Sequence, residues 1–230
     1  MIKFNTFFIL FLSLFSFANT AELNLRNELF NNYNKSNRPV INYNDNVELK
    51  FGIEVLGLNY FNQKAENIEF NIMITQVWYD EYLKWDLNNY SVNFIDVSSN
   101  LVWKPDLELY NSGQNPFSFN DNSTIKIYNT GKMFWTKILS FKFSCQMDLH
   151  NFPYDKQECN LLFGSWKFTK NELDLKPFFN NSRYINISVS DKFNHNEWDI
   201  VNTYVEHEDI EYLCCPGDLY PNSNFYIELK

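Results

Sequence analysis

The chain has 230 residues, 45% of them hydrophobic and 19% aromatic, with 19 basic and 28 acidic side chains giving a formal charge of −9. That balance excludes the basic face a nucleic-acid partner requires, and a negative surface instead draws cations. The length suits one domain with a sizeable core.

Met1 to Ala18 reads as a secretion signal: Lys3, then the apolar run Phe7-Phe8-Ile9-Leu10-Phe11-Leu12, then the small-x-small step Ser16-Phe17-Ala18. A membrane helix needs about 20 apolar residues in a row. The run is too short, and no later segment approaches that length, so residues 19–230 are expected to form one domain without a transmembrane segment.

Next, Leu25, Leu29, Phe30 and Tyr33 recur at helical spacing within Ala21 to Tyr33 and predict a short amphipathic helix. The rest reads as strands. Val47 to Leu58 comes first, then Phe70 to Thr75 and Thr124 to Tyr128; Leu139 to Asp148 alternates most cleanly between apolar and polar residues. Tyr184 to Val189, Trp198 to Val205 and Phe225 to Leu229 follow, separated by Asn, Asp, Gly and Pro turn clusters. Many short strands without intervening helices predict an all-β fold, two packed antiparallel sheets in an immunoglobulin-like β-sandwich.

A secreted chain meets an oxidising compartment, where its four cysteines can pair in three ways. Adjacency and spacing favour Cys145–Cys159 and Cys214–Cys215. The first pair encloses thirteen residues and would contribute roughly 3 kcal/mol by loop entropy; the second would be a strained eight-membered ring, a stiffened tip between Tyr212 and Tyr220. Asn34, Asn89, Asn122, Asn180 and Asn186 head Asn-x-Ser/Thr glycosylation sequences. His150, His195 and His207 lack metal-ligand spacing, so neither metal nor cofactor is expected. Glu206, Glu208, Asp209 and Glu211 read as a solvent-facing hairpin arm. Taking Glu206 and Glu208 as glycosidase carboxylates is the weakest alternative.

Several motifs occur together in one order. Arg38-Pro39-Val40 is followed by Trp78-Tyr79-Asp80-Glu81-Tyr82-Leu83-Lys84-Trp85 and by Trp103-Lys104-Pro105-Asp106-Leu107-Glu108-Leu109-Tyr110. Cys145 to Cys159 then encloses Phe152-Pro153-Tyr154-Asp155, and Phe163-Gly164-Ser165-Trp166 and Cys214-Cys215 complete the set. The mature chain thereby resembles the extracellular domain of Cys-loop, or pentameric, ligand-gated ion channels, and the adjacent cysteines resemble those of nicotinic acetylcholine receptor alpha-type subunits.

The resemblance implies an N-terminal helix, about ten strands and a ring of five subunits, homomeric or heteromeric, holding a small cationic ligand such as acetylcholine between neighbours. It implies a binding protein rather than an enzyme. Tyr110, Trp166, Tyr212, Cys214, Cys215 and Tyr220 would form the principal face, with Trp78, Lys126, Phe134 and Thr136 on the complementary face of the adjoining subunit. Aromatic faces suit a quaternary ammonium, which has no N–H to donate. Asp106 would support the turn of Ser165 and Trp166, and Phe152, Pro153, Tyr154 and Asp155 would form the loop that couples to a membrane domain. Trp78 shares the parity of Ile72 and Ile74, and parity alone does not decide between a ligand contact and the core. Lys126 would repel a cationic agonist, so the chain is expected to be a poor complementary partner.

Two positions depart from the family pattern. Leu162 and Asn222 stand where alpha subunits carry a lysine and an aspartate, so the ion pair that rearranges on closure there is lost from both sides at once. The sequence ends at Lys230, before any membrane span. Two readings follow, a cell-surface channel subunit whose membrane part is absent, or a soluble secreted acetylcholine-binding protein.

Overall fold

The computed structural model describes residues 20–112, 123–152, 154–178, 187–190, 195 and 197–230. The expected signal segment, Pro153, Asn122, Asn180 and Asn186 lie outside them, whereas Asn34 and Asn89 are exposed. Residues 20–30 form the predicted helix, which buries Leu25 completely. Eleven strands follow among the described residues: β1 (Val47–Asn62), β2 (Asn67–Tyr79), β3 (Phe94–Ser98), β4 (Leu107–Leu109), β5 (Thr124–Tyr128), β6 (Lys132–Ser144), β7 (Gln157–Ser165), β8 (Leu173–Pro177), β9 (Ile187–Val189), β10 (Ile200–Glu211) and β11 (Leu219–Leu229).

One sheet runs β3-β5-β6-β2-β1-β8, with β9 also paired to β1; the other runs β10-β11-β7-β4. The all-β sandwich is as expected, with one difference. β8 and β9 both run parallel to β1, a long-range pairing that leaves no local turn signal to read. Alternation builds the sheets: β6 buries Met133, Trp135, Phe141 and Phe143 and exposes Thr136, Ile138 and Ser140 between them. Across the gap Phe163 of β7 meets Phe51 of β1 at 5.1 Å and Phe141 of β6 at 5.7 Å between ring centroids.

The Cys145–Cys159 bond is formed. It links the residue after β6 to β7, and so joins the two sheets at one end. At the other end Tyr33 donates to the buried Asp80 at 2.6 Å and accepts the backbone N–H of Trp103 at 3.0 Å, fastening the segment after the helix to the loops above the sheets. Burial raises the pKa of both Tyr33 and Asp80. No helix among the described residues is long and apolar enough to cross a membrane.

Candidate ligand-binding site

The turn after β7 carries Trp166, a residue 76% exposed. An indole this open on a β-sandwich contributes little to the core, and the turn beneath it is held firmly. Ser165, fully buried, donates its hydroxyl to Asp106 at 2.7 Å and accepts the N–H of Phe168 at 2.8 Å; the other oxygen of Asp106 accepts the N–H of Lys167 at 2.6 Å. One carboxylate thus satisfies two donors of the turn.

Tyr110 follows β4 and reaches across to this turn. Its hydroxyl donates to the Ser165 carbonyl at 2.8 Å, and its ring meets Trp166 edge-on at 6.4 Å. The ring lies over Gly164, where a Cβ would fall 2.7 Å from it and 2.0 Å from the Asn222 side-chain oxygen. Only glycine leaves room for that approach. Burial, followed by the neighbouring Tyr212 hydroxyl, raises the pKa of Tyr110.

The β10–β11 hairpin brings the remaining rings. Tyr212 and Tyr220 lie 5.5 Å apart, and Asn222 donates to the Tyr212 hydroxyl at 3.2 Å. The tip turns through Gly217 at φ 93°, whose N–H is accepted by Glu211 at 2.8 Å. The ring pairs Tyr110–Trp166 and Tyr212–Tyr220 are neighbours through Asn222, whose side chain lies beside the Tyr110 ring over Gly164 and donates to the Tyr212 hydroxyl. Both pairs sit at the same flank of the second sheet.

Two expectations for this region need correction. The expected Cys214–Cys215 bond is not formed. The two sulfurs lie 2.7 Å apart, beyond the roughly 2.05 Å of a closed disulfide. The Cys215 sulfur raises the pKa of both Cys214 and Tyr220 through hydrogen bonds. Trp78, expected on a complementary face, is 0% exposed and packs edge-on against Trp103 at 6.1 Å. Here β2 is covered on both sides from Ile74 to Trp78. Parity with Ile72 and Ile74 does not decide its side, because both faces of β2 are buried here.

The outward face of β2 and β6 instead presents Met73 opposite Ile138, which is 62% exposed. Sequence reasoning passed over Met73, although period-two counting from Phe70 assigns it to this face. Thr136 is exposed on the same face, and Phe134 pairs with Lys126 of β5. The Lys126 ammonium lies 4.0 Å from the Phe94 ring centroid and 4.0 Å from Asp96. Asp96 offsets part of the charge expected to repel a cation. In the Cys145–Cys159 loop, Phe152 and Tyr154 are exposed, while Asp155 is buried and accepts from Gln157.

Comparison with known proteins decides the family. The model described as neurotransmitter-gated ion-channel ligand binding domain matches residues 22–230. The chain belongs to this family. It is 32% identical to neuronal acetylcholine receptor subunit alpha-4 of Homo sapiens over 211 residues, covering 91% of this chain and 33% of that protein. The alpha-4 subunit of Gallus gallus is 32% identical over 206 residues, 89% of this chain and 32% of the relative. Acetylcholine receptor subunit alpha-L1 of Schistocerca gregaria is 32% identical over 218 residues, 93% of this chain and 39% of the relative. The chain thus spans about a third of the length of these relatives. As a neurotransmitter-gated ligand-binding domain it falls in a family of ion-channel receptors, which are not enzymes.

Proposed function

We propose that this domain binds acetylcholine or a related cationic amine at the boundary between subunits of a nicotinic-type channel, with Tyr110, Trp166, Tyr212 and Tyr220 forming the principal face. The observation that carries the reading is the open indole of Trp166 beside three tyrosines that are fixed by hydrogen bonds and close packing. A quaternary ammonium loses little on leaving water for such rings, each contributing about 0.5–2 kcal/mol. Tyrosine also ties the segments together: Tyr110 anchors the turn and Tyr212 is anchored by Asn222.

The ring of subunits, the placement outside the cell and the coupling of binding to a pore belong to the same proposal. A ligand that contacts both the Trp166 turn and the hairpin prefers the closed hairpin and shifts the population toward it. In a complete subunit the loop bearing Phe152, Tyr154 and Asp155 would pass the change to the membrane domain. As a complementary face the chain offers Met73, Thr136, Ile138, Phe134 and a lysine, with one aromatic ring among them. A neighbour of different sequence suits that side better.

The test is equilibrium binding of acetylcholine to the secreted domain, alone and co-expressed with related subunits. Replacing Trp166 with Ala weakens binding by about 1–2 kcal/mol and leaves the unfolding midpoint nearly unchanged, because the side chain is mostly exposed. Parallel loss of secretion and binding would make Trp166 a structural residue and contradict the proposal.

A further inference from the structure

Lys170 lies four residues after Trp166, in the turn between β7 and β8, and it touches both arms of the hairpin. Its ammonium pairs with Asp209 on β10, and its backbone N–H donates to the Leu219 carbonyl, the first residue of β11, at 2.8 Å. Asp209 is three residues before Tyr212, and Leu219 directly precedes Tyr220. One residue of the Trp166 turn therefore grips each hairpin arm beside its tyrosine.

Among the described residues this is the one ion pair that joins the Trp166 turn to the hairpin. In the β7–β11 register Leu162 faces Asn224 and Asn222 faces Gly164, so these pairs add no charge, and among the described residues the electrostatic attraction between the two segments is the Lys170–Asp209 contact. Both partners keep solvent access, with side chains 40% and 31% exposed. A contact of that kind is modest in strength, reversible and screened by salt. These properties fit a catch that opens and closes and do not suit a core staple.

We propose that Lys170 and Asp209 form a latch that holds the hairpin against the Trp166 turn, making both of them positioning residues that set how long a bound ligand stays. The latch rests on the reading of the four rings as a ligand pocket, but its mechanical part does not. An interaction that holds the closed form acts mainly on dissociation.

The experiment has two arms on the same variants, Lys170→Gln, Asp209→Asn and the double replacement. In the free domain, hydrogen exchange of residues 212–220 reads hairpin opening. Each single replacement should speed exchange about two- to five-fold, the range of an exposed ion pair, and the double no more than either single. In the second arm, stopped-flow tryptophan fluorescence with acetylcholine should show dissociation faster by a similar factor, with association barely altered.

The swapped pair Lys170→Asp with Asp209→Lys should recover most of the slow dissociation, and salt at about 0.5 M should narrow the gap between wild type and variants. Unchanged exchange in both single variants, or effects that add in the double, would overturn the latch. If wild-type protein fails to bind acetylcholine, the pocket reading fails, and the exchange arm still decides whether the latch exists.

Discussion

Replacing Phe163 with Ala should cost about 3–5 kcal/mol of unfolding free energy, the largest effect expected from any single substitution near the site. Phe163 is fully buried, with its ring 5.1 Å from Phe51, 5.7 Å from Phe141 and 5.9 Å from Phe225, each met edge-on. Its neighbours come from β1, β6 and β11, so the cavity would open between the two sheets, where neither can collapse independently. Domains have only about 5–15 kcal/mol in total. Urea unfolding should show a lower midpoint with an unchanged slope, and amine binding should weaken because β7 carries the Trp166 turn. A midpoint within error of wild type would mean that the sheets close over the gap, and that Phe163 is not the contact fixing their separation.

Joint replacement of Cys145 and Cys159 by Ala should destabilise the domain by roughly 3 kcal/mol, the loop-entropy value for thirteen enclosed residues. At roughly 2–4 °C per kcal/mol for a chain of this size, the melting temperature should fall by about 6–12 °C. The bond joins the sheets far from the rings: Trp166 lies seven residue steps beyond Cys159 along β7 and its turn, about 23 Å at strand rise. Folded protein lacking the bond should therefore bind amine nearly as wild type does. An equal loss of affinity and stability would show that the two ends of β7 are coupled more tightly than this packing allows.

Much of the site was legible because its residues sit in motifs tied to local geometry. Asp106 after Pro105, the glycine two residues before Trp166, and tyrosines bracketing a turn each point to a loop or close approach, and the structure gathers them at one flank. Strands with clean alternation, above all the segment around Phe141 and Phe143, were equally readable. The hairpin arms were underestimated. Between Glu206 and Glu211 the sequence is mostly charged, since both faces of β10 remain largely exposed at this end and no apolar period survives to mark it. The short strands β3, β4 and β8 give too few residues for a period, and the parallel pairing of β8 and β9 to β1 depends on contacts distant in sequence.

Trp78 shows the opposite limit. Its motif resemblance suggested a ligand contact and its parity left the side open; burial of both faces of β2 at this end, with Trp103 packed against the indole, puts it in the core. Met73 was available to the same counting but lies in no motif. The Lys170–Asp209 pair could not have been read at all: its members are 39 residues apart and only the folded hairpin brings them together.

The central claim is that four aromatic rings share one ligand, and a structure of the domain with acetylcholine bound tests it most directly. The ammonium should sit within about 6 Å of the ring centroids of Tyr110, Trp166, Tyr212 and Tyr220. An ammonium seated against the Glu206 and Glu208 carboxylates, with the indole of Trp166 left bare, would contradict it.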